Sequence, residues 1–127
     1  MAAIDTNVLV RLVTRDDESQ YKKAQAFVDK HQPVLVTQLS VLETVWVLMS
    51  RYNLDKERTC QVVQALLDTR ELNIQTPAIL EAALETWRES KADFADCFIL
   101  QTVMDASETP LGTFDATLAR MEGCKQL

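Results

Sequence analysis

The stretch AAIDTNVLVR, residues 2–11, carries three structural signals in direct succession. Its first three residues are apolar and predict a short strand that stops at Asp5. Val8 and Leu12 then recur at helical spacing, which predicts a helix over residues 7–14. A short strand that leads through an acid directly into a helix is typical of the first unit of an α/β domain.

Strands and helices continue to alternate along the rest of the chain. Further strands are predicted over residues 34–37, 72–74 and 110–114, and helices over residues 17–31, 40–52, 55–69, 77–90, 93–105 and 115–121. Only two glycines and three prolines are present, which favours long helices over an all-β fold. The pattern predicts the α/β class, with a central, mostly parallel sheet flanked by helices in one domain over residues 1–127.

The charge balance is acidic, with 13 Lys and Arg against 19 Asp and Glu and a formal net charge of −6. Affinity for nucleic acid that is independent of sequence comes from Lys and Arg on phosphates, so the balance argues against a general nucleic-acid-coating protein. It argues less against a nuclease, because clustered carboxylates can hold divalent cations that then meet the phosphate.

The cysteine content and the hydropathy indicate a cytoplasmic protein. The three cysteines are odd in number and far apart, as expected of thiols in a reducing compartment. The N-terminus lacks the basic region of a signal peptide. No apolar run approaches the roughly 18–20 residues of a membrane span, so no membrane association is expected.

Acidic residues occur in four places where predicted strands end or the following helices begin. They are Asp5, Glu43, the pair Asp93 and Asp96, and Asp115. In a parallel sheet these places share one edge. Carboxylates that lie close together repel one another, and a cation removes that cost. Mg²⁺ and Mn²⁺ prefer such oxygen ligands.

Each of these acids, taken alone, has a simpler interpretation. An acid at a helix N-terminus is often only a cap or a partner of the helix dipole. Ser40 and Glu43 form the pattern S-x-x-E, which predicts Ser40 as the N-cap of its helix and Glu43 as the other half of a capping box. The functional interpretation therefore depends on the whole set of acids.

Four sequence blocks resemble the PIN-domain nucleases, and especially the VapC-type toxins of type II toxin–antitoxin systems. The blocks are IDTNVLVR (4–11), LSVLETVWVL (39–48), DFADCFIL (93–100) and GTFDATLAR (112–120). They stand in the family's order and span nearly the whole chain. Few residues follow Arg120, so the sequence does not decide whether a C-terminal strand is present.

The resemblance implies an endoribonuclease that uses Mg²⁺ or Mn²⁺ and a metal-activated water. It implies catalytic and metal-binding roles for Asp5, Glu43, Asp96 and Asp115. Asp93 is a near neighbour of Asp96, and which of the two is the main third acid stays open. The resemblance further implies supporting roles for Thr6, Asn7, Ser40, Asp93 and Thr113.

The partners implied by the resemblance are an RNA substrate, a cognate small antitoxin and a second copy of the chain in a homodimer. The helix around residues 39–49 is apolar nearly all round, so it is either buried or part of an interface. Trp46 and Trp87 are candidates for interface anchors or for the core. The helix predicted over residues 17–31 is expected to have an apolar face formed by Ala24, Phe27 and Val28.

Other classes of protein fit the sequence less well. A phosphotransfer receiver domain needs an acidic pair after the first strand, and a haloacid-dehalogenase-like phosphatase needs D-x-D, whereas this chain has Asp5, Thr6 and Asn7. A histidine-pair ribonuclease is excluded because His31 is the only histidine. A PIN-fold module that binds RNA or protein without cleavage stays as the alternative.

Overall fold

A computed structural model describes all 127 residues, and the chain divides into two compact units. The N-terminal unit is Met1–Gln75 and the C-terminal unit is Thr76–Leu127. Helices and parallel strands alternate in both units, so the predicted α/β class is confirmed. A single domain over residues 1–127 stays a prediction. None of the helices has both the length and the apolar character needed to cross a membrane.

The N-terminal unit is built on a sheet of three parallel strands. Its elements are β1 (Ala3–Ile4), α1 (Thr6–Thr14), α2 (Glu18–His31), β2 (Val34–Val36), α3 (Gln38–Ser50), α4 (Lys56–Leu67) and β3 (Leu72–Ile74). Strand order is β1-β2-β3, and Ile4, Val36 and Ile74 lie side by side at the ends of their strands. All three residues are buried, so the register is fixed by the core.

The helices of this unit pack through their apolar faces. Helix α1 packs against α2 and α3, and α3 also packs against α4. Leu9 of α1, Leu48 of α3 and Val63 of α4 are fully buried. Burial of each such side chain contributes about 1.5–3 kcal/mol to the stability of the folded state. This packing holds the short strands in place. Phe27, predicted on the buried face of α2, is instead 38% exposed.

Acidic or hydroxyl side chains cap the N-termini of these helices. Asp5, Asp17 and Asp55 each accept a hydrogen bond from the backbone N–H three residues further on. The prediction that Ser40 caps α3 is wrong, because Thr37 is the N-cap and its Oγ1 accepts from the Ser40 N–H at 3.1 Å. Thr37 has extended backbone because it directly follows β2, so the helix begins at the first residue after it.

The C-terminal unit contains two long helices and a second parallel sheet. Its elements are α5 (Pro77–Glu89), α6 (Phe94–Asp105), β4 (Leu111–Thr113), α7 (Ala116–Ala119) and β5 (Cys124–Gln126). Helices α5 and α6 pack together, and β4 pairs with β5. The strand that the sequence left open is therefore present. The five strands of the chain form two hydrogen-bonded sheets, and every pairing within them is parallel.

The two tryptophans have different environments. Trp87 is buried and packs on Phe94, with ring centroids 5.2 Å apart, and Phe94 packs in turn on Phe98. Trp87 therefore belongs to the core of the C-terminal unit. Trp46 on α3 is 63% exposed, and Leu39 on the same helix is 71% exposed. Helix α3 thus has one buried face, and the exposed face carries large apolar side chains on either side of Glu43.

A surface network links the first two helices to the end of α3. The Tyr52 hydroxyl donates to Asp16 Oδ2 at 2.6 Å, and the Thr14 hydroxyl and the Arg11 guanidinium donate to Oδ1. The Tyr52 hydrogen bond, supported by Thr14 and the charge of Arg11, holds the pKa of Asp16 below its usual value of 3.8.

We expect Tyr52→Phe to lower the free energy of unfolding at neutral pH. A carboxyl whose pKa is lowered by folding stabilises the protein above its unfolded pKa, and this stabilisation is lost as the pH falls through the folded pKa. The difference between wild type and variant should therefore shrink in acid. Urea denaturation across this pH range measures it, with Tyr52→Phe in an Asp16→Asn background as the control. A cost that is independent of pH would contradict the assignment to Asp16.

Candidate active site

The first candidate residue lies in the turn between β1 and α1. Asp5 is exposed, and its Oδ1 accepts a hydrogen bond from the Val8 N–H at 3.0 Å. This cap fixes the carboxylate at the end of the strand and satisfies a backbone donor of the first helical turn. The second carboxylate oxygen of Asp5 makes no hydrogen bond within the chain.

A side-chain hydrogen bond joins the first and second sequence blocks. The Thr6 hydroxyl donates to Glu43 Oε1 at 2.9 Å, although the two residues are 37 positions apart. Thr6 directly follows Asp5, so the bond places Glu43 at the turn that carries the first acid. The contact restricts the orientation of the Glu43 carboxylate, and the supporting role of Thr6 stays a prediction.

The other two supporting residues of the N-terminal unit lie in different environments. Asn7 is exposed in the first turn of α1 and lines a cleft together with Asp5. Ser40 is buried inside α3, and its hydroxyl accepts a hydrogen bond from Thr37 at 3.2 Å. Ser40 therefore helps to hold the start of α3, and its contact with Thr37 is a structural one.

Three acids lie close together in the C-terminal unit. Asp93 caps α6 by accepting from the Asp96 N–H at 2.9 Å, and Asp96 lies in the first turn of that helix. Burial raises the pKa of Asp96, and the nearby charges of Asp93 and Asp115 raise it further. The sequence predicted that Asp93 and Asp96 are neighbours and that Asp115 lies at the same edge, and the structure has all three acids near one another.

Asp115 is held by its own short helix. Its Oδ1 accepts from the N–H groups of Thr117 and Leu118 at 2.7 and 3.0 Å, which caps α7. The backbone N–H of Asp115 donates to Thr113 Oγ1 at 3.0 Å. Thr113 therefore fixes the turn after β4, as its predicted place beside the fourth acid suggested.

Cys124 is a neighbour of this group that the sequence did not indicate. Burial raises the pKa of its thiol, and the negative charge of Asp96 adds to the effect. The residue lies on β5, the strand that the sequence left open, so no periodic or motif signal pointed to it. All three cysteines of the chain are thiols.

Basic side chains do not balance these candidate acids. The two ion pairs in the structure join Arg11 to Asp16 and Arg15 to Glu18. Uncompensated carboxylates that crowd together are costly, and their oxygens suit a hard divalent cation. The chemistry of the donor set therefore fits such an ion, although no three His, Cys, Asp or Glu side chains are already arranged to hold one.

Comparisons with known proteins agree with the four sequence blocks. Residues 2–123 match the family described as the PIN domain. The chain is also 23% identical over 100 residues to a VapC ribonuclease from Aquifex aeolicus (strain VF5). That alignment covers 76% of this chain and 74% of the relative.

We expect Asp96→Asn to raise the free energy of unfolding in metal-free buffer at neutral pH. A carboxyl whose pKa is raised by folding destabilises the protein above its folded pKa, and this penalty disappears as the pH falls through that value. Asn removes the partly buried negative charge, so the gain should be present at neutral pH and vanish in acid. Denaturation curves of wild type and variant in EDTA, at neutral pH and in acid, measure this difference in the free energy of unfolding. A variant that is less stable at neutral pH would contradict the repulsion among the three acids.

Proposed function

Because the chain belongs to the PIN-domain family, as its sequence blocks predicted, we propose that it is a metal-dependent endoribonuclease. The observation that carries the proposal is the set of candidate carboxylates without basic partners, near the N-termini of α1, α3, α6 and α7. Both ion pairs of the structure lie elsewhere, on Asp16 and Glu18. Helix capping alone does not explain why Asp93 and Asp115 both lie near Asp96, because neighbouring like charges are costly.

Mg²⁺ or Mn²⁺ is the cofactor that the donor set suits best. We assign the metal-binding and catalytic roles to Asp5, Glu43, Asp96 and Asp115. Divalent cations bound by these carboxylates would activate a water and offset the charge that develops on the phosphate. Asp93 supports this set because its cap fixes the first turn of α6, where Asp96 lies.

Residues of the chain itself prepare the other parts of the reaction. Glu43 Oε1 already accepts a hydrogen bond from the Thr6 hydroxyl. Glu43 Oε2 is therefore left to accept a proton from the attacking water. Thr113 and the α7 cap hold Asp115 in one orientation. Water is the nucleophile in this proposal. The only histidine, His31, packs against Phe27 with the two rings tilted by 41°, and it does not activate a serine or cysteine.

We further propose that the nuclease is the cytoplasmic toxin of a toxin–antitoxin pair, with a small antitoxin as its inhibitor. The name of the Aquifex relative supports the ribonuclease part of this proposal. The exposed Trp46 and Leu39 on α3 support a protein partner, and a second copy of the chain in a homodimer fits such an apolar face.

One observation favours the second candidate function, a PIN-fold module that binds RNA or protein without cleavage. No group of three ligands stands ready for a metal ion, as a resting nuclease site would be expected to show. Metal-dependent cleavage separates the two candidates directly.

We expect the purified chain, free of antitoxin, to cleave total RNA with Mn²⁺ or Mg²⁺ and to lose this activity in EDTA. Asp5→Asn should reduce cleavage at least about 100-fold, because loss of a ligand costs no less than loss of its supporting contacts. Asp17→Asn is the matched control. Both acids are helix N-caps and Asn retains the cap, so only the site acid should affect the rate.

The same assay separates the possible failures. Cleavage that survives EDTA, or that falls equally in Asp5→Asn and Asp17→Asn, would contradict the proposal. RNA binding without any cleavage in either metal would support the non-cleaving module instead.

A further inference from the structure

A cleft of about 580 Å³ opens beside Asp5 between helices α1 and α2. Asp5 and Asn7 form one end of it, and Lys23 and Phe27 of α2 line another part. Ligand pockets commonly have volumes of roughly 300–1,000 Å³, so the cleft can take one nucleotide-sized group. Its position makes it continuous with the first acid of the proposed catalytic set.

The cleft is lined by more basic than acidic residues, unlike the chain as a whole. Apart from Asp5, its charged lining residues are Arg11 and Lys23. Arg11 is already paired with Asp16, so Lys23 is the cation left to meet a phosphate. A second cleft of the N-terminal unit has only Glu71 as a charged residue, and a cleft of the C-terminal unit is balanced between two acids and two bases.

Phe27 gives the cleft an aromatic wall. Its neighbours Ala24 and Val28 on α2 are buried, while Phe27 itself is 38% exposed. The His31 ring lies 4.5 Å from the Phe27 ring, so the ring is supported from one side. A supported, half-exposed aromatic ring beside a cation is the arrangement that binds single-stranded nucleic acid by stacking.

The polar rim of the cleft is already oriented. The Arg11 guanidinium donates to Gln20 Oε1, so the Gln20 amide nitrogen is left as a donor toward a ligand. A nucleobase offers acceptor atoms on its edge, a flat face for Phe27 and a neighbouring phosphate for Lys23. A protein segment would have to offer an apolar side chain to Phe27 and an anionic group to Lys23. It would match fewer features of the cleft than a nucleotide does.

We propose that this cleft binds one nucleotide of single-stranded RNA next to the scissile phosphate, with its base stacked on Phe27 and a phosphate at Lys23. The inference rests on the proposed function, because it assigns the substrate contacts of that same site. It makes Phe27 and Lys23 substrate-binding residues, whereas the acids carry the chemistry.

The test is direct binding of a fluorescein-labelled, mixed-sequence single-stranded RNA oligonucleotide in EDTA, followed by fluorescence anisotropy at several salt concentrations. Phe27→Ala should weaken binding about 5- to 150-fold, since stacking on an aromatic residue contributes about 1–3 kcal/mol per base. Phe27→Trp should retain the affinity. Lys23→Gln should weaken binding and reduce the salt dependence by about 0.7 in slope.

Lys30→Gln is the control, because Lys30 lies on the same helix and outside the cleft. An oligonucleotide that carries the fluorescent base 2-aminopurine adds a second readout. Its emission should be quenched by wild type and by Phe27→Trp, and less by Phe27→Ala. Thermal denaturation verifies that each variant is folded.

The outcomes separate this inference from the proposed function. Equal RNA affinity in wild type, Phe27→Ala and Lys23→Gln, or no saturable RNA binding by wild type, would overturn the inference even if Asp5-dependent cleavage stands. A change of oligomeric state in Phe27→Ala with unchanged RNA affinity would overturn it as well. Phe27-dependent binding without EDTA-sensitive cleavage would support the cleft and contradict the nuclease.

Discussion

The parallel pairing of β1, β2 and β3 determines where the polar residues of the N-terminal unit lie. Ile4, Val36 and Ile74 are in register, so the residues that follow them leave the sheet at one edge. At this edge the Gln38 N–H donates to the Gln75 side chain at 3.0 Å, which holds the start of α3. Glu43, about one turn further along α3, then meets Thr6 in the turn after β1.

Helix capping accounts for how the chain tolerates so many acids without basic partners. Asp5, Asp93 and Asp115 each cap a helix, and such a cap stabilises a helix by about 1 kcal/mol. The caps also fix the direction of each carboxylate. Asp96 has no such compensation, and burial raises its pKa. The charge of Asp96 therefore has a cost in stability that the capping acids do not share.

Much of this arrangement could be predicted from the sequence, because strands that end in acids and helices with apolar periodicity are local signals. The start of α3 could not be predicted, since Thr37 and Ser40 both have hydroxyl groups and only the end of β2 decides between them. Strand β5 is three residues long, with its middle and last residues exposed, so it has no hydrophobic pattern.

Contacts between distant residues escaped prediction for a different reason. Tyr52 and Asp16 are 36 positions apart, and no periodicity relates them. Phe27 was placed on the buried face of α2 by its spacing from Ala24 and Val28, but that spacing does not set the width of the face. The exposure of Phe27 follows from the cleft between α1 and α2, which only tertiary packing defines.

The main proposal is that the uncompensated carboxylates bind divalent cations. Its most direct test is calorimetric titration of Mn²⁺ into wild type, Glu43→Gln and Asp96→Asn, with Asp17→Asn as the control. Saturable binding by wild type and the control, weakened at least about 10-fold in both site variants, is the predicted result. Absence of saturable binding by wild type, or equal affinity in all four proteins, would contradict the claim.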